Sequence, residues 1–167
     1  MKPQLELFYD NEQKEPVDVD CKLEKNFNLD DELGFTWHKS WIIPEIYVKI
    51  RDFESNEFDP GCLSCEIASA FPVKKNDTYY VQEVRLEGET QKLLPNYECR
   101  FSNLKFTTTS FNTEGSKFSL VLVIYLQQNG TKRILKSLIS IPIYIDSRKE
   151  ARAKKEAVAR IQDVFPP

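Results

Sequence analysis

Apolar and polar residues alternate with a period of two along much of the chain. Ile46, Val48 and Ile50 alternate with Tyr47, Lys49 and Arg51, the mark of a half-buried strand. Pro44 stands near its start, where a missing backbone donor is tolerated. "CLSCEIASAF" alternates Cys62, Ser64 and Glu66 against Leu63, Cys65 and Ile67. "TYYVQEVRLEG" and "YECRFSNLKF" read as further strands, with "ESNEFDPG", "PVKKND" and "ETQKLLPN" as turns or loops between them. "KFSLVLVIYLQQ" is the strongest strand, rich in β-branched and aromatic residues. Asn129-Gly130 follows it and predicts a hairpin tip, with "RILKSLISIPIYI" as the returning strand. Pro142 implies a bulge or an edge there.

Helical spacing enters only at the end. "SRKEARAKKEAVARIQDVF" is built of good helix formers, and Ser147 with Glu150 forms a capping box. Val158, Ile161 and Phe165 share one face of that helix. Many short strands with no βαβ alternation predict an all-β, antiparallel β-sandwich. The expected layout is an acidic arm over 1–34, the sandwich over 35–146, and a C-terminal basic helix and tail over 147–167. On this reading, removal of 1–34 leaves a folded core.

Composition narrows the class. The chain has 167 residues, 41% hydrophobic, 29% charged and 12% aromatic, a globular balance. No apolar run approaches the ~20 residues that span a bilayer. The first residues lack the apolar centre of a secretion signal. An intracellular protein without membrane association is expected, its four cysteines free thiols. The net charge of −3 conceals a division. Residues 1–34 hold ten acids and four bases, a balance of −6, and residues 100–167 hold twelve bases and five acids, a balance of +7. Such a split suggests a basic working surface with an acidic appendage or opposite face.

Catalytic chemistry has little to stand on. His38 is the only histidine, and no nucleophile-elbow sequence accompanies it. It reads as a packing residue or a phosphate contact. Cys62 and Cys65 have the spacing of metal ligands, but on a strand residues three apart face opposite ways, which suits thiols without metal. No glycine-rich phosphate loop or cofactor fingerprint is present. No enzymatic activity and no cofactor are expected.

The polar loop 107–117 opens with three threonines in a row and separates two apolar strands. Its hydroxyls suit phosphate oxygens or base edges, and equally suit the backbone of a turn. Phe111 is its expected apolar anchor. The residues around it carry a resemblance. Arg100, Phe101, Leu104, Lys105 and Phe106, then Lys117, Phe118 and Leu120, then Asp146, Arg148 and Arg152 resemble the second half of a Runt domain. More generally, they are similar to the immunoglobulin-fold transcription factors that include Rel-homology and CSL-type domains. "WHKSWIIPEIYVKI" and the Asp59-Pro60-Gly61 turn add a weaker match. Where the Runt loop carries arginines, this chain carries Thr108, Thr109, Ser110 and Asn112.

The resemblance implies an immunoglobulin-like sandwich, and a nuclear transcription regulator that binds double-stranded DNA sequence-specifically. The expected contacts are Lys39, Thr108, Thr109, Ser110, Asn112 and Lys117, joined by Arg148, Lys149, Arg152 and Lys155 at the helix start. A homodimer or a protein co-regulator is a further expected partner. The alternative is a β-sandwich protein-interaction module that does not bind nucleic acid, in which the acidic arm and the helix dock.

Overall fold

A computed structural model describes residues 8–13, 17–51 and 60–147. Within them the chain is mostly strand, and no helix is long and apolar enough to cross a membrane. The expected helix beyond Ser147 lies outside the described residues.

Among the described residues, twelve strands form three sheets. They are β1 (Phe8–Gln13), β2 (Asp18–Leu23), β3 (Asn28–Asp30), β4 (Gly34–His38), β5 (Ile46–Arg51), β6 (Leu63–Lys75), β7 (Thr78–Val84), β8 (Gln91–Leu93), β9 (Glu98–Phe101), β10 (Ser119–Gln128), β11 (Thr131–Ser140) and β12 (Tyr144–Asp146). The largest sheet runs β1-β11-β10-β6-β7, with β8 also on β6; the others run β12-β4-β3 and β2-β5-β9. All pairings are antiparallel except β12 with β4, which is parallel.

The period-two pattern sets the burial. In β10, Leu120, Leu122, Ile124 and Leu126 are buried, while Val121, Val123 and Tyr125 face outward and are half-buried. Each such side chain contributes on the order of 1.5–3 kcal/mol by leaving water. These buried residues share one cluster with Ile46, Val48 and Ile50 of β5, Leu63, Cys65 and Ile67 of β6, and Trp37 and Ile145 of the β12-β4-β3 sheet. The hairpin tip falls on Asn129 and Gly130, both with positive φ, and Gln128 faces Thr131 across it.

Several expectations need correction. "PVKKND" is not a turn throughout: β6 continues to Lys75, and only Asn76 and Asp77 reverse the chain, both in the left-handed region. "ETQKLLPN" is not all loop, because Gln91–Leu93 pairs with Ser64–Glu66. The strand predicted across Pro142 is two strands. The chain leaves the large sheet after Ser140 and joins β4 at Tyr144, since Pro142 lacks the donor that would continue the ladder. Residues 17–34 are no appendage. β2 pairs with β5 along its whole length, and Val17, Cys21, Leu23 and Phe27 are buried in the core.

Candidate nucleic-acid interface

The polar loop is compact and largely satisfied by its own backbone. Ser110 N–H donates to the Ile145 carbonyl at 2.9 Å, and Ile145 N–H donates to Ser110 Oγ at 2.9 Å. Phe118 and Ile143 exchange two backbone bonds, at 2.8 and 2.7 Å. Both limbs of the loop are therefore fixed to the chain entering and forming β12. Between them a 3-10 turn, Phe111–Thr113, is closed by Glu114 and Gly115 in left-handed conformations. Gly115 N–H reaches Ser110 O at 2.7 Å, Asn112 N–H reaches Thr109 Oγ1 at 3.3 Å, and Thr113 donates its hydroxyl to Ser110 O at 3.1 Å.

This geometry corrects three expectations. Thr109 and Ser110 do not face outward: they are 4% and 0% exposed, because their hydroxyls serve backbone groups that the turn leaves unpaired. Phe111 is not the anchor, being 70% exposed. The apolar anchor is Phe118, buried and packed edge-on to Phe71 with centroids 5.1 Å apart. Thr108 is half-buried; Asn112, Lys117 and Lys39 are exposed. Lys117 and Lys39 are not neighbours. The Lys117 ammonium lies 3.8 Å from where a Cβ on Gly34 would stand, at the start of β4, whereas Lys39 follows its end. Five strand residues separate those ends by roughly 13–16 Å. Arg148, Lys149, Arg152 and Lys155 lie outside the described residues.

A basic cleft lies at the end of β4 and β12. Lys39 N–H donates to the Asp146 carbonyl at 2.8 Å, and Trp41 N–H to the His38 carbonyl at 3.0 Å. Ser40 N–H donates to His38 Nδ1 at 3.1 Å, with Ser40 Oγ 2.7 Å from the same atom. Nδ1 thus accepts, and the ring proton of the neutral imidazole sits on Nε2. The second wall is the segment around Lys105. Ile43 N–H donates to Leu104 O at 2.7 Å, and Glu87 and Lys105 exchange backbone bonds at 2.9 and 3.1 Å. Gly88, with φ +116, makes that approach possible: a Cβ there would stand 2.9 Å from both Asn103 O and Leu104 Cδ2.

Between these walls is a cleft of about 540 Å³, lined by His38, Lys39, Ser40, Lys105 and Ser147, with Glu87 as its one acid among the described residues. A second cleft, of about 660 Å³, shares Ser40 and Lys105 and adds Lys25 and Trp41. Lys25, Lys39, Lys105 and Lys117 have no carboxylate partner among the described residues. By contrast, Arg100 pairs with Glu45 at 3.1 Å and Lys132 with Glu66 at 3.0 Å. Sequence reasoning placed Lys105 in a strand motif and missed Lys25 and Trp41 as site residues; two tryptophans flanking His-Lys-Ser were the available signal.

No protein-family model matches this chain, and no curated protein matches it. Among solved structures it is similar to Spo0M, a sporulation control protein from Bacillus subtilis, at 12% identity and a TM-score of 0.41. The match covers 87% of this chain and 55% of that one, and is too distant to assign a fold or a function.

Proposed function

We propose that this chain is a sequence-specific, duplex-DNA-binding domain of a nuclear transcription regulator, built as an immunoglobulin-like β-sandwich and catalysing no reaction. The observation that carries the reading is the group of lysines without carboxylate partners, Lys39 and Lys105 in one cleft with Lys25 beside it. Cations without carboxylate partners on a concave surface suit a polyanion, because each phosphate contact releases condensed counterions from the duplex. Ser147 lines the same cleft, and the basic run Arg148, Lys149, Arg152 and Lys155 follows it directly in the sequence. Lys117 stands about one strand length away, beside Gly34 at the start of β4. Asn112, exposed at the loop tip, is the candidate for a base edge. Thr109 and Ser110 hold the loop in shape on this reading and make no DNA contact.

The test is selection from a random duplex pool at physiological salt. Enrichment of a defined motif supports the reading; a pool that stays unenriched, with no salt-dependent retention, removes it. The second reading, a protein-interaction module, has its own observation. β7 is an edge strand of the large sheet on which Tyr79, Tyr80 and Val81 are 70%, 44% and 66% exposed, and an edge of that kind accepts an added strand.

A further inference from the structure

Trp41 and Ile42 stand 47% and 51% exposed at the turn beyond β4. Trp41 is open but braced. Its ring meets Trp37 edge-on at 5.2 Å and 81°, and lies tilted against His38 at 5.2 Å. Trp37 in turn packs edge-on to Phe27 in the core. An indole held this way loses little freedom when a flat partner is laid on it. Lys25, Lys105, Asn26 and Asn28 line the cleft that Trp41 borders, and no carboxylate lines it among the described residues. The Trp37 indole N–H, buried at the floor of the same cleft, has no acceptor among the described residues.

The geometry points to Trp41 as a stacking platform for a nucleobase opened from its duplex, with Lys25 and Lys105 on the flanking phosphates. This rests on the DNA-binding reading and adds a defined contact to it. A π-face beside cations, with polar amides at the base's edge, is the chemistry by which unstacked bases are held. An apolar side chain that replaces a stacking neighbour offsets the cost of opening the step.

The probe is intrinsic fluorescence, since the chain has two tryptophans and only Trp41 is exposed. The protein is titrated with a paired duplex, with the same duplex carrying one unpaired base, and with polyglutamate. Emission quenched by the bulged duplex, and tighter binding to it than to the paired one, is the expected result. Trp41→Leu should abolish the quench and weaken bulged-duplex binding by about tenfold, Trp41→Phe should restore most of the affinity, and thermal melts should show both variants folded. Binding of both duplexes with equal affinity and unchanged emission overturns the stacking contact and leaves DNA binding standing. Binding of neither duplex removes both, and quenching by polyglutamate alone assigns the cleft to an acidic peptide.

Discussion

Ser110 and Ile145 are joined by two hydrogen bonds of 2.9 Å each, one from the Ser110 N–H to the Ile145 carbonyl and one from the Ile145 N–H to Ser110 Oγ. A residue in the polar loop is thereby fully buried and fastens the loop to β12. Ser110→Ala removes the acceptor for a buried N–H, which costs on the order of 1–3 kcal/mol. Thermal melting should show a fall of several degrees, and duplex affinity measured well below the melting point should be unchanged. A variant that melts like the wild type would show that Ser110 does not fasten the loop.

Gly88 is the second point where one atom decides the geometry. Its φ of +116 and the 2.9 Å approaches to Asn103 and Leu104 leave no room for a methyl group. Gly88→Ala should destabilise by more than the ~1 kcal/mol of an ordinary glycine replacement. It should also weaken duplex binding of the folded fraction, because Lys105 is carried on the displaced segment. Calorimetry and a binding titration read the two effects separately.

The buried Cys65 thiol predicts an alkaline limit to stability. Burial pushes the Cys65 thiol well above its ordinary range, and the neighbouring Cys99 adds to the shift. The folded state therefore holds this proton more tightly than the unfolded chain does. That contribution is fully present below the pKa of an unfolded thiol, about 8.5, and is lost as pH rises toward the folded-state value. Cys65→Ala should be less stable at neutral pH, through the cavity it leaves, yet lose less stability between pH 8 and 10. In native protein, half-buried Cys62 should react with a thiol reagent before Cys65.

Truncation distinguishes an acidic arm from part of the domain. Deleting residues 1–34 removes β2, one of the two strands paired with β5, together with Val17, Cys21, Leu23 and Phe27 from the core. The shortened chain should fail to fold, seen as loss of cooperative melting. A cooperative transition in that chain would return 1–34 to the status of an appendage.

How far the sequence was legible depended on periodicity. β5 and β10 carry side chains that must choose a face, so their alternation reports burial directly, and Asn129-Gly130 states its own turn. β2 was hidden by its acids: Asp18 and Asp20 dominate the composition while Cys21 and Leu23 do the packing. β12 was hidden because the chain changes sheets at Pro142, which a single-strand pattern does not register. In the loop, hydrophobicity pointed to Phe111 and away from Ser110. The backbone needed a small acceptor beside Ile145, and Phe118 already filled the apolar site. The basic cleft was not legible because Lys25, Lys39 and Lys105 are distant in sequence and meet only through the β4 turn and the Gly88 approach.

The most direct test of DNA binding at this cleft is the salt dependence of affinity for a selected duplex, compared between the wild type and Lys39→Ala, Lys105→Ala and Arg148→Ala. Each phosphate contact contributes about 0.9 to the slope of log affinity against log salt. Each variant should therefore weaken binding across all duplex sequences and flatten the slope by roughly one, while Asn112→Ala should leave the slope alone and cost about 1–3 kcal/mol on the selected site only. Slopes unchanged in all three charge variants, with affinity intact, would contradict the assignment of this cleft to DNA.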